Sequence, residues 1–413
     1  MRVSRTRAAL LLLAALAMVG LSACGDDDDS SSEGDTGETS SDDGGEEAEG
    51  GDVDISADSF TADFSAMEAL QPIVEQGEGK VAVLLPDTES SARYESFDRP
   101  YLQQAFETAG MDPDDIIIQN AQGSASTMQT QAEAAMTDGA VVLLVDALDS
   151  GSGAAIESAA TAQGVRVIDY DRLVQGGAED RTYVSFDNVS VGQLIGEGFT
   201  QCVSDWGVED PQVLIMNGDP TDNNATLFAE GYHSVVDPLF DDGTMTLVGE
   251  PAGTWTPSEA QTTFDQQLTA NPQINAAITP NDDNANAVIS SLQQLSIPPE
   301  TFPTTGQDAS LSGLQNILKG YQCGTVYKPI YLEAQAAAAA AIFLRAGMEI
   351  PEGLVNGTTE DPEAGSDVPS ILVTPIWVTA ENMADTVVAD GAVDVDELCV
   401  TEVADACEAA GIG

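Results

Sequence analysis

From Lys80 onward the chain alternates two kinds of segment. Short runs rich in apolar and β-branched residues stand at VAVLLPD (81–87), DIIIQN (115–120), AVVLLVD (140–146), VRVIDYD (165–171) and TYVSFDN (182–188). A second series follows at QVLIMNGD (212–219), MTLVGEP (245–251), AAITPND (276–282), FPTTGQD (302–308) and CGTVYKP (323–329). Between them lie amphipathic stretches of helical length, among them RPYLQQAFETAG, TMQTQAEAAMTDG, VGQLIGEGFTQCVSDWG and EAQAAAAAAIFLRAG. Strand, helix, strand at this spacing predicts right-handed βαβ units and parallel sheets. The unbroken apolar character of the runs fits strands covered on both faces. So many runs exceed one comfortable sheet. The expected fold class is therefore α/β, with two doubly wound parallel-sheet lobes. In open sheets of this kind ligands bind beyond the carboxyl ends of the strands.

Those strand ends are unusually polar. The first is followed by a loop holding Arg93 and Tyr94, and the fourth ends in Asp171-Arg172. The second series offers Asp222 and Asn224, then Asn281, then Asp308, then Lys328, with Trp255 in the loop after TLVGEP. Capping is an alternative use for Asp222 and Asp282, because Asp and Asn are favoured at helix N-termini. A structural ion pair would also account for Asp171-Arg172, and plain core packing for Trp255.

Composition sharpens this picture. The chain has 413 residues, 12 Lys+Arg and 70 Asp+Glu, for a formal charge of −58. Such a balance argues against nucleic-acid binding, which needs a basic face, and against docking on anionic lipid through protein charge. Cations are scarce, yet Arg93, Arg172 and Lys328 all fall at or near predicted strand ends. Carboxylates, amides, cations and aromatics together suit a sugar. Adjacent hydroxyls can be bridged by a carboxylate or an Arg fork, and the C–H face of a pyranose packs on an aromatic ring. A phosphate would call for cations without the carboxylates.

The N-terminus resembles an export signal. Arg2, Arg5 and Arg7 precede the apolar stretch Ala8 to Gly20, too short for a comfortable membrane span. It ends in LSAC, a lipobox-like sequence that predicts signal removal over 1–23 and lipidation of Cys24. Two acyl chains give stable anchoring. Residues 25–54 hold 14 Asp or Glu and no Lys or Arg. With Cys24 they read as a disordered tether. The expected location is extracytoplasmic, held to the outer face of the cell membrane or in a periplasm, with membrane contact through the lipid alone. Four cysteines remain beyond Cys24. An even count in an exported chain suggests disulfides. Cys399 and Cys407 are close in sequence and are expected to pair, leaving Cys202 with Cys323.

Enzymatic signatures are lacking. The single His, His233, lies in an apparent helix, and no GxSxG, HExxH or P-loop occurs. Asp171 and Asp308 could pair as in a glycosidase, but flanking cations would depress both carboxyls, which suits a general acid poorly. The chain is expected to be a non-enzyme with no cofactor and no metal.

Several long stretches carry a family resemblance: VIDYDRLVQGGAEDRTYVSFDNVSVGQLIGEG, MNGDPTDNNATLFAEGYHSVV, TPNDDNANAVISSLQQL, TGQDASLSGLQNILKGYQCGTVYKPIYLEAQAAAAAA and VPSILVTPIWVTAENMADTVVADG. They occur in one order from about Lys80 to about Gly391. The chain resembles the type I periplasmic sugar-binding proteins of ABC importers. It is most similar to the D-xylose-binding members, with multi-sugar binders of the same branch nearly as close. The resemblance implies two Rossmann-like lobes joined by a three-crossing hinge, residues 80–187 with 329–372 and residues 188–328 with 373–413. It implies sugar contacts from Arg93, Tyr94, Asp171, Arg172, Asp222, Asn224, Asn281, Asp308 and Lys328, with stacking by Trp255. It also implies a monomer that delivers a monosaccharide to a permease and ATPase complex. A sensory or chemotaxis module, or a binder of glucose and galactose, stands as the alternative. Tyr94 occupies a position where the xylose binders have Trp, which leaves pentose against hexose open. Segment 55–79 has no counterpart in this scheme.

Overall fold

The computed structural model describes residue 53 and residues 55–413, apart from residues 89 and 92. The signal segment, Cys24 and nearly all of the acidic tether lie outside the described residues. The first five apolar runs form β1 (Lys80–Leu85), β2 (Ile116–Asn120), β3 (Ala140–Val145), β4 (Arg166–Tyr170) and β5 (Thr182–Phe186). All pair in parallel, in the order β5-β4-β3-β1-β2. The order turns back at β1 and β3, so the loops after these strands splay apart and leave a crevice.

The second lobe is built on β6 (Gln212–Ile215), β7 (Thr246–Gly249) and β8 (Ala276–Ile278), ordered β7-β6-β8. FPTTGQD, expected as the next strand, carries only one bridge, Gln307 with Val326. Pro303 has no N–H to give. The Thr305 side chain takes over the pairing instead, accepting from Thr279 N at 2.9 Å and donating to Thr279 O at 2.9 Å. The segment still joins β8 to β9 (Thr325–Tyr327), through Ala277 N to Pro303 O and Val326 N to Gly306 O.

Three further strands depart from the all-parallel expectation. β10 (Gly357–Asp361) pairs antiparallel with β11 (Ser366–Val373), which adds to β5 at the rim of the first sheet. β12 (Ile376–Val378) pairs antiparallel with β9. The GTTED sequence of β10 alternates without large apolar residues, as an edge strand does, so its signal in the sequence is weak. The chain passes between lobes three times: from β5 into the helix Asn188–Asp205, from β9 into the helix Ile330–Arg345, and from β11 into β12.

The helix Ile330–Arg345 is the spine of the first lobe. Ala336 to Ala341 are wholly buried. Alanine is the best intrinsic helix former and its small side chain admits close packing. Segment 55–79, without assignment from the sequence, covers this helix. Phe60, Phe64, Met67, Leu70 and Ile73 enter the same core. Gln335 Nε2 donates to Thr61 O at 2.9 Å, and Arg345 donates to Val74 O at 3.0 Å and Gly79 O at 2.7 Å. Disulfides join Cys202 to Cys323 and Cys399 to Cys407. The first ties the helix Asn188–Asp205 to the turn before β9, and the second closes a loop near the C-terminus.

Met67→Ala is expected to cost about 2–5 kcal/mol of unfolding free energy, as for other buried long apolar side chains. Denaturant titration measures it, and a cost below about 1 kcal/mol would show that segment 55–79 is not part of the first lobe's core.

Candidate functional site

A π turn over Tyr94–Asp98 opens the helix Arg99–Thr108. Asp98 lies five positions after Arg93, so one π turn sets the two side chains face to face. Arg93 Nε and Nη2 donate to the two oxygens of Asp98 at 2.9 and 2.6 Å. Nη2 also donates to Glu333 Oε2 at 2.6 Å, and Nη1 to Asp171 Oδ1 at 2.7 Å. Four of the five guanidinium hydrogens are thus used within the protein. Arg93 was expected to grip a ligand. It lines the cleft with one donor to spare, and mainly holds Asp171 in place.

Asp171 ends β4 in a left-handed conformation, with φ at 59°. That costs a non-glycine residue of order 1–2 kcal/mol. Its carbonyl oxygen accepts from Tyr183 OH at 2.9 Å, Ser185 Oγ at 2.8 Å and Asn224 Nδ2 at 2.8 Å. Three donors on one carbonyl hold the turn, and the side chain projects into the cleft. Burial would raise the Asp171 carboxyl, but Arg93, Lys328 and Arg172, with a hydrogen bond from Tyr94, hold it down to about 2.

A structural ion pair within Asp171-Arg172, one reading of the sequence, is not formed: the ion pairs of Arg172 run to Asp146 at 3.5 Å and Asp222 at 3.4 Å. The two neighbours meet instead through the Tyr94 hydroxyl, which donates to Asp171 Oδ2 at 3.0 Å. Arg172 Nη2 donates to Ser90 Oγ at 3.1 Å and Tyr94 OH at 3.0 Å. Tyr94 is packed between the two arginines, whose guanidinium carbons lie 5.4 and 5.5 Å from its ring centre. Burial pushes its hydroxyl up, so Tyr94 stays neutral and serves Asp171 as a donor.

The second lobe supplies the opposite wall. Asp222 is the N-cap of the helix Asn223–Asp241, accepting from Asn224 N at 2.9 Å. Its other oxygen accepts from Trp255 Nε1 at 3.0 Å. Capping and cleft lining therefore coexist in one residue. Asn281 likewise caps the helix Asp282–Gln294 and donates to Ser90 O across the cleft at 3.2 Å. Asn224 lines the cleft, but its amide oxygen accepts from Asn188 Nδ2 at 3.0 Å while its amide nitrogen donates to Asp171 O, so it chiefly clamps Asp171. Asp308, with φ at 89°, accepts from Ser91 Oγ at 2.9 Å and pairs with Lys328 at 3.3 Å. Trp255 packs close against Gly218, where any Cβ would meet the indole, and edge-on to Phe228. Burial pushes Asp222 up, with Arg172 opposing, and pushes Glu333 up to about 8, with Arg93 opposing.

All ten residues singled out in the sequence line one narrow cavity between the lobes. Ser90, Ser91, Phe228 and Gln307 line it as well. Asp98, Asp146 and Glu333 support it from behind. Asp146 stands at a strand end, after the run AVVLLVD, but was not singled out in the sequence. Nothing local marks the other two: Glu333 lies in an alanine-rich helix, and Asp98 matters only because the fold brings Arg93 to it. The arrangement offers fixed carboxylates, guanidinium and ammonium donors and an indole face to a small polar solute.

A periplasmic binding protein domain matches residues 81–348. A D-xylose-binding periplasmic protein of Escherichia coli is 35% identical over 283 residues, covering 67% of this chain and 81% of that protein. A multiple sugar-binding periplasmic protein of Azospirillum brasilense is 30% identical over 337 residues, covering 78% and 91%. The crystal structure of a carbohydrate transporter solute-binding protein of Chloroflexus aurantiacus with D-glucose superposes with a TM-score of 0.68 at 26% identity, covering 77% and 97%. The chain belongs to the type I periplasmic binding proteins. Among the described residues no helix is long and apolar enough to cross a membrane.

Replacing Asp171 by Asn should cost about 3–5 kcal/mol of stability, because Arg93 and Lys328 lose a buried partner. The carboxyl sits below its ordinary value of 3.8 in the folded state. Its contribution is therefore full above that value and is lost as pH falls towards 2. Acid unfolding should separate wild type from Asp171→Asn above pH 4, and the difference should shrink below it.

Proposed function

We propose that this protein is the lipid-anchored receptor of an ABC sugar importer, with D-xylose as its first candidate solute. The carrying observation is the convergence of Asp171, Arg172, Asp222, Asn281, Asp308 and Lys328 around the Trp255 indole in one interlobe cavity. Carboxylates and guanidinium forks bridge vicinal hydroxyls, and an indole accepts the apolar face of a sugar ring. The names of its relatives support a transported sugar rather than a substrate to be turned over.

In this reading the moving bodies are residues 80–187 with 329–372 and residues 188–328 with 373–413, and segment 55–79 rides with the first. The two disulfides then lie within the second body and leave the three crossings free to bend. Sugar touches both lobes and draws the open form to the closed one. Cross-cleft contacts then seal it: Ser91 to Asp308, Asn281 to Ser90 and Gln175 to Asn223 at 2.6 Å. A permease and ATPase complex would receive the sugar, with the protein monomeric and held at the membrane through Cys24. A multi-sugar range is the second reading, favoured by Tyr94 in the cleft and by relatives that bind multiple sugars or D-glucose.

Calorimetric titration with D-xylose, D-glucose, D-galactose, L-arabinose and D-ribose decides between them. One tight one-to-one ligand names the solute, several comparable ones support the multi-sugar reading, and silence across the panel rejects both. Asp308→Ala should abolish measurable binding with the fold intact by circular dichroism. Cys24→Ser should move the protein from the membrane to the soluble fraction, and retention at the membrane would reject the lipid anchor.

A further inference from the structure

Arg172 stands between two carboxylates that come from different lobes. Asp146, directly after β3 in the first lobe, lies 3.5 Å from Arg172 Nε. Asp222, at the head of a second-lobe helix, lies 3.4 Å from the same nitrogen. That nitrogen carries one hydrogen and cannot serve both. Asp222 is well supplied, accepting from Asn224 N and Trp255 Nε1. Asp146 is not. It is wholly buried, and neither of its oxygens has a hydrogen-bond partner.

The rest of Arg172 is anchored in the first lobe, through Ala147 O at 3.4 Å, Ser90 Oγ and Tyr94 OH. Separation of the lobes carries Asp222 away from Arg172. Asp146 stays with it, on the neighbouring strand. A neighbouring cavity of the cleft, lined by Asp87, Leu148, Arg172 and Trp255, gives water a route to this region.

We propose that Asp146 is the counter-ion Arg172 keeps to itself when the cleft is open, and that closure makes Arg172 divide itself between Asp146 and Asp222. This rests on the hinge-closing reading above. Closure leaves the Asp146 carboxylate buried with only a shared 3.5 Å ion pair to Arg172 and no hydrogen bond, which is unfavourable. Burial pushes this carboxyl well above its ordinary value, with Arg172 opposing, in keeping with a group poorly served in the closed form. Asp146 therefore works against closure. It keeps the ligand-free protein open and lowers affinity for whatever solute closes it.

The test compares wild type, Asp146→Asn and Asp222→Asn in the purified protein. Small-angle X-ray scattering without sugar reads the lobe separation, and titration with D-xylose reads affinity. Asp146→Asn should give a more compact ligand-free particle and bind about five- to tenfold more tightly. Asp222→Asn should leave the ligand-free particle as open as wild type and bind more weakly. If Asp146→Asn is more open and binds more weakly, Asp146 holds Arg172 in its binding pose and the proposal falls. It also falls if the scattering and affinity of Asp146→Asn match wild type within twofold, or if Asp222→Asn makes the ligand-free particle more compact. Should Asp146→Asn fail to fold, Asp146→Ser carries the same expectations. Should wild type not bind D-xylose, that specificity fails, and the scattering comparison still decides the role of Asp146.

Discussion

The buried ion network around Asp171 is what the cleft depends on. Isolated charges are expensive to bury, and they persist only where partners and hydrogen bonds replace water. Arg93 meets three carboxylates, from Asp98, Asp171 and Glu333. These arrive from the π turn, the end of β4 and the alanine-rich helix. One guanidinium thus sets the relative position of three elements of the first lobe. The network also explains the left-handed turn at Asp171. Its strain is held by three donors to the carbonyl and two cations on the side chain.

The same economy of cations extends across the cleft. Lys328, at the end of β9, reaches Asp308 at 3.3 Å and Asp171 at 3.8 Å, and so touches carboxylates of both lobes. Arg172 does likewise with Asp146 and Asp222. In a chain with so large an excess of carboxylates, each buried cation is shared. Sharing ties the two walls of the cleft together through both cations.

The fold class was legible because strand runs such as AVVLLVD are apolar on both faces, as central parallel strands must be. Its rim was not. GTTED of β10 has no apolar face to advertise, and FPTTGQD looks strand-like while a proline and a threonine hydroxyl replace its ladder bonds. Segment 55–79 has only scattered apolar residues, and its role shows once Phe64, Met67 and Leu70 are seen against the spine helix. Among site residues, those at strand ends could be picked out, since polarity after an apolar run is visible in one dimension. Asp146 carries that mark too, after AVVLLVD, whereas Asp98 and Glu333 carry none.

By itself the sequence determined the alternation of strands and helices, the polar strand ends and the scarcity of cations, because periodicity, turn chemistry and composition are local properties. Tertiary structure alone decided which charge faces which. Asp171 and Arg172 are neighbours in the chain yet serve different partners, Arg93 and Lys328 for one, Asp146 and Asp222 for the other. The reason is physical. Ion pairing depends on distances of a few ångströms between side chains far apart in sequence, and those distances are fixed only when sheets, spine helix and hinge crossings pack together.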